Sequence, residues 1–156
     1  MRKTMLLLAV IGLAGSLWAA DPQVGTWKLN VAKSKFAPST QAPVKEETRL
    51  VREQGDQYEI TFTGTRTDGS AISDKWTYAQ QGGFLKNERS ALPQGRIVVV
   101  TVINPSDRYL TGIQDGKQNG VSHYVISKDG KTLTVTTKGT DANGKPFESL
   151  TVFDKQ

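Results

Sequence analysis

The 156-residue chain has no cysteine, a single histidine, and 20 Lys plus Arg against 15 Asp plus Glu, for a formal net charge of +5. No disulfide scaffold or thiolate metal centre can form, and one imidazole is too few for a histidine-built metal site. The basic residues are scattered, whereas nucleic-acid binding asks for a basic stripe interleaved with stacking aromatics.

In chain order, Arg2 and Lys3 precede the apolar run MLLLAVIGLAG (residues 5–15). That pattern predicts a signal peptide over residues 1–20, cleaved after Ala20 or one residue earlier after Ala19. No cysteine follows the run, so no lipid attachment and no stable membrane anchor is expected after cleavage. The expected location is periplasmic or secreted. Removing Arg2 and Lys3 leaves 18 basic against 15 acidic residues, a net +3. Residues 21–156 are the size of one domain, and without cross-links burial alone must stabilise it.

From residue 24 onward, short β-prone runs alternate with turn signals. The runs lie at about 24–29, 44–54, 57–66, 71–80, 84–89, 96–103, 108–114, 121–127, 131–138 and 147–153. The turns are Gly55-Asp56, Asp68-Gly69, Gly82-Gly83, Gln94-Gly95, Asn104-Pro105, Asp115-Gly116 with Asn119-Gly120, Asp129-Gly130 and Asn143-Gly144. Asx-Gly pairs supply the positive φ angles that tight hairpins require, so successive strands are expected to be antiparallel neighbours. No helical period competes. The predicted fold is all-β: an antiparallel up-and-down meander of about eight to ten strands, closed into a barrel because closure removes exposed edges.

Side-chain alternation assigns faces. Tyr58, Ile60 and Phe62 fall on one side of their strand, and Leu133, Val135 and Thr137 on one side of theirs. RIVVVTVI (96–103) and SLTVF (149–153) are apolar on both sides, which predicts a cover outside the barrel. The stretch NVAKSKFAPSTQAP after the first strand is available for it, with one helical turn over residues 31–36 and Phe36 as a covering side chain.

The opening triplet Gly25-Thr26-Trp27 on the first strand of a meander resembles the G-x-W signature of lipocalins and the wider calycin group. In that family the tryptophan closes one barrel end, commonly beneath a basic side chain from the last strand. The last strand here, FESLTVFDK, offers Lys155 and no arginine, and the nearest match to the family's second motif, PSDRYL (105–110), has its Asp and Arg reordered. The resemblance is to small exported bacterial lipocalin-like domains, and it implies a central cavity for a small hydrophobic ligand.

Ligand-cavity candidates on that reading are Trp27, Tyr58, Phe62, Asp74, Trp76, Tyr78 and His123, although cavity-lining and core-filling aromatics have the same sequence signature. Asp74 shares a strand face with Ile72, Trp76 and Tyr78, so it is either partnered inside, serving a ligand, or solvated near the strand end. His123 alternates with Val121 and Val125; it is either a half-buried strand histidine or an axial haem ligand, as in nitrobindin-type barrels. Ser122 points to the opposite face and cannot form a dyad with it. GTDANGK (139–145) follows P-loop spacing up to its lysine, but Pro146 stands where Ser or Thr would hold magnesium, and a hairpin turn accounts for it.

No constellation of acid, base and electrophile stabiliser is present, so no enzyme, metal or catalytic residue is assigned. Two functions follow. One is a carrier, with a small hydrophobic molecule as its partner and no cofactor, haem through His123 being the lesser alternative. The other is a filled barrel acting as a protein-interaction or inhibitor module, with another protein as its partner.

Overall fold

The computed structural model describes residues 21–37, 43–88, 92–141 and 143–156. The expected signal peptide, residues 1–20, lies outside them. Eleven strands form one antiparallel sheet: β1 (Gly25–Leu29), β2 (Val44–Gln54), β3 (Gln57–Arg66), β4 (Ala71–Ala79), β5 (Gly82–Phe84), β6 (Lys86–Asn87), β7 (Arg96–Asn104), β8 (Asp107–Gln114), β9 (Lys117–Ile126), β10 (Thr132–Thr140) and β11 (Pro146–Lys155). The order across the sheet is β5-β7-β8-β9-β10-β11-β1-β2-β3-β4-β6. The only helical element described is a 3-10 turn, Val31–Lys33, capped by the Asn30 side chain.

The two ends of that order are consecutive in sequence. β5 pairs with β7 (Phe84↔Val99), and two residues later β6 pairs with β4 (Trp76↔Asn87). The segment Gly82–Asn87 therefore bridges the two long strands at the ends of the order, and the sheet is a nearly closed antiparallel meander barrel. The sequence reading expected one strand at 84–89; the bridge divides it in two because it switches partners at Leu85, which brings the count to eleven, just beyond the expected eight to ten.

Asp115 and Gly116 both have positive φ (50° and 76°), the twist of a two-residue hairpin, and they join β8 to β9. Asn119-Gly120, read as a second turn signal, instead lies within β9, where Gly120 pairs with Gly112 and Gly139.

Inward-facing side chains form the core: Trp27, Leu29, Val51, Tyr58, Ile60, Phe62, Tyr78, Leu85, Val100, Leu110, Ile126, Leu133, Val135 and Phe153 are all buried. Lys35 bridges to Leu150, the Ser34 hydroxyl accepts from the Val152 amide at 3.0 Å, and the Asn30 amide donates to the Val152 carbonyl at 2.8 Å, so residues 30–35 run alongside β11 on the edge that β1 pairs with. This segment does not reach β7. The outward side chains Phe84, Ile97 and Ile103 remain exposed, and Phe36 is itself 37 % exposed. Of the two strands expected to be covered, RIVVVTVI has no cover among the described residues, and SLTVF is bordered along its edge by residues 30–35.

Candidate functional site

Trp27 is 1 % exposed and sits at the barrel end where β1 begins. Residues 21–24 cross this end as a plug: the indole Nε1 donates to the Gln23 carbonyl at 2.8 Å, and Lys155 Nζ donates to the Pro22 carbonyl at 2.9 Å from 5.0 Å above the Trp27 ring. Lys155, on the last strand, is thus the basic side chain over Trp27.

Above the plug lies a polar cluster. Arg108 Nη1 donates to the Tyr78 hydroxyl at 2.7 Å, and that hydroxyl donates to Gln23 Oε1 at 3.1 Å. The Tyr58 hydroxyl donates to the Asp21 carboxylate. Burial, then the bond to Asp21, pushes the Tyr58 phenol well above its usual range, and burial likewise raises that of Tyr78, with Arg108 opposing it. Both phenols are neutral donors at any physiological pH. Two buried side-chain atoms in this cluster, Arg108 Nε and Gln23 Nε2, have no partner among the described residues.

Arg49 is the second interior guanidinium. It stacks 3.9 Å above the Phe153 ring, lies 5.2 Å from the Phe62 ring centre, and bonds Glu47 Oε1 through Nε at 2.6 Å. Burial lowers its pKa, but Glu47 and Tyr124 outweigh that and hold it above the ordinary value, so Arg49 is a charge already balanced.

Two voids occupy the interior. A lower one of about 40 Å³ is lined by Trp27, Arg49, Phe62, Tyr78, Arg108 and Tyr124 among others. An upper one of about 210 Å³, open toward the end carrying the β8–β9 and β10–β11 hairpins, is lined by Arg96, Val98, Asn119, Gly120, Ser122 and Phe147 among others. Trp76, Leu110 and Tyr124 line both and form the neck. Gly112 is the register partner of Gly120, and Gly120 of Gly139. Asn119 and Phe147 fill the space beside Gly112 and Gly139, and Gly120 alone leaves its inner side open.

Of the candidates read from the sequence, Trp27, Phe62, Trp76 and Tyr78 line the lower void. Tyr58 packs against Tyr78, ring centres 5.6 Å apart, and contributes to the plug. Asp74 faces inward and is partnered: its Oδ2 accepts from Trp76 Nε1 at 2.9 Å and from Asn87 Nδ2 at 3.0 Å, which fixes the indole of the neck and ties β4 to the bridge.

His123 must be removed from the cavity set. Its register partner Tyr109 stacks on it on the outer face, ring centres 4.2 Å apart and 2° from parallel, and its Nε2 lies 2.8 Å from Asp107 Oδ1. Ser122, one residue earlier, occupies the inside. The imidazole therefore cannot reach a group bound within the barrel.

Arg49, Arg108, Tyr124 and Gln23 were absent from the sequence-derived set. Period-two alternation contained the signal, since Arg49 is in phase with Val51 and Arg108 with Leu110, yet charge suggested an outward direction.

No protein-family model matches the sequence, and no curated protein sequence does. Among solved structures, the chain is similar to lobster apocrustacyanin A1 (15% identity, TM-score 0.44, covering 88% of this chain and 63% of the other). It is similar also to the siderocalin Ex-FABP (10%, 0.40, covering 86% and 71%), and to zebrafish ileal bile acid-binding protein in complex with cholic acid (10%, 0.41, covering 86% and 99%). The chain thus spans less than two thirds of the length of the lobster protein.

Proposed function

We propose that the chain is an exported, non-enzymatic binding protein that holds one small, largely apolar molecule inside its barrel. The observation that carries this reading is the pair of pockets meeting at Trp76, Leu110 and Tyr124. An interior built only for stability is packed to the density of an organic crystal, with few voids larger than a water molecule. The upper pocket, about 210 Å³ and open at the barrel end, is space that the inward side chains leave unfilled. Export rests on the character of residues 1–20, and the non-enzymatic part on the lack of a catalytic constellation in the sequence.

Native mass spectrometry of protein purified from its own host tests the reading directly, with a co-purified small mass expected. Tryptophan emission during titration with apolar probes is the second measurement. A saturable change is expected, diminished in Trp76→Phe because that indole stands in the neck. No co-purified mass, together with no saturation below millimolar probe (about 4 kcal/mol of binding), overturns the carrier. The interaction module then takes its place, favoured by the exposed outer side chains Phe84 (69 %) and Ile103 (60 %) on and beside β7.

A further inference from the structure

The outer wall of the barrel carries its charge unevenly. On β2, β3 and β4 the outward residues include Arg52, its register partner Glu59, and Lys75, whose Nζ bonds Glu59 at 2.7 Å and Glu88 at 3.1 Å. Across β5, β7, β8 and β9 the outward positions hold no lysine or arginine, in a chain that has 20. Arg96 and Arg108 turn to the pockets, and Lys117 stands at the β8–β9 tip. One outward row of register partners is Phe84, Val99, Thr111 and Val121; the next is Thr101, Tyr109 and His123. Ile97, paired with Ile113, and Ile103 extend the face along β7, and Phe84, Ile97 and Ile103 are all exposed. Its one acid, Asp107, is bonded to His123 Nε2 at 2.8 Å. Lys86 on β6 and Lys138 on β10 mark its two margins. Single exposed apolar side chains are ordinary, but a contiguous apolar face marks an interface.

We infer that the face formed by β5, β7, β8 and β9 is an interface between two copies of this chain, packed sheet on sheet about a two-fold axis. Charge selects the occupant. A partner recognised through acidic or basic groups finds none to pair with except Asp107, which His123 already holds, so the opposing surface must be equally neutral. The chain itself supplies one. Two copies carry like net charge, +5 each or +3 without Arg2 and Lys3, and a contact through this face keeps their basic residues apart. A two-fold contact requires a surface that complements itself, and rows of β-branched and aromatic side chains on a regular sheet interdigitate as the two layers of a sandwich do. Extent sets the strength. Strand spacing and rise make the face about 20 Å on a side, roughly 400 Å². A standard interface buries about 800 Å² per partner, so the pair is concentration-dependent rather than permanent. It lies on the wall and leaves the open end of the barrel clear, so it stands independently of the carrier reading.

Sedimentation velocity of the protein purified from its own host, from micromolar to millimolar concentration, tests the pair. The mass is expected to move from one chain toward two and no further, because a two-fold contact closes on itself. Sodium chloride should preserve or strengthen the association, since it screens repulsion between like-charged copies. Phe84→Lys and Ile97→Lys should each raise the dissociation constant about tenfold or more. Thr63→Lys, which adds the same charge on the outer face of β3, should leave it unchanged. Urea melts at micromolar concentration, where the chains are apart, establish that each variant is folded, and if one is not, the other decides. A single-chain mass at every concentration overturns the inference. So does a dimer that the folded Lys variants leave intact, one that salt dissolves, or a mass that grows beyond two chains. Binding of single chains to phosphatidylcholine vesicles, with no dimer in solution, overturns it in favour of a membrane surface.

Discussion

Lys155 Nζ lies 5.0 Å from the centre of the Trp27 ring while bonding the Pro22 carbonyl, so one cation joins the last strand, the first strand and the plug. The large apolar surface belongs to the indole, and the ammonium adds orientation. Trp27→Ala should cost about 3–5 kcal/mol, the range for deleting a buried large aromatic. Lys155→Met should cost only about 0.5–1 kcal/mol, because a cation–π contact near the surface is weak. Urea melts of the two variants measure this difference, and equal losses would show that the indole is not the principal element.

The two phenols at the plug predict an alkaline limit. For Tyr58 and Tyr78 the folded-state pKa is raised above the unfolded value of about 10. Between those two values the folded chain holds more protons than the unfolded one, so unfolding free energy falls as pH rises. Their contribution is fully present below about pH 10 and is lost above it. Thermal melts at neutral pH and at about pH 11 should show a drop that becomes shallower in Tyr58→Phe.

The glycine row can be probed one strand at a time. A Cβ at Gly120 would meet the Lys138 carbonyl at 3.5 Å, ordinary contact, whereas one at Gly139 would meet the Asn119 carbonyl at 2.6 Å. Gly120→Ala should fold normally with reduced probe binding. Gly139→Ala should lower the melting temperature, because the backbone it strikes belongs to a paired strand. Loss of stability in the first variant alone would contradict the geometry.

Exposure of the outer face of β7 predicts tolerance. Ile103→Lys should change stability by no more than about 0.5 kcal/mol, as surface substitutions usually do. A denaturant midpoint displaced further would mean that another element covers this face. The same variant should lower binding to any protein partner without altering small-molecule titrations.

The outward direction of His123 makes haem a direct check on register. Any Soret change produced by adding haem should be the same in His123→Ala, since the imidazole stacks on Tyr109 outside the wall. A change lost in that variant would require the strand to be turned over.

What the sequence by itself determined was local. Alternation in Tyr58-Ile60-Phe62 and Leu133-Val135, punctuated by Asx-Gly turns, specifies half-buried antiparallel strands, because period two and positive φ are properties of a few adjacent residues. The same alternation separated Ser122 from His123. It did not say which of that pair faces in, since both strand faces there carry apolar neighbours, and only pairing with β8 settles it. Closure through Gly82–Asn87 depends on a segment that finds β7 on one side and β4 on the other, with Phe84 paired to Val99 and Asn87 to Trp76. The tethering of residues 30–35 along the edge of β11 is likewise a long-range pairing that local pattern does not contain. The interior charges were the least legible. Arg49 and Arg108 lie in phase with Val51 and Leu110, but a guanidinium turns inward only when a ring, a carboxylate or a phenol waits there, and those arrive from distant strands. Tertiary structure alone brings Phe153 to Arg49 and Tyr78 to Arg108.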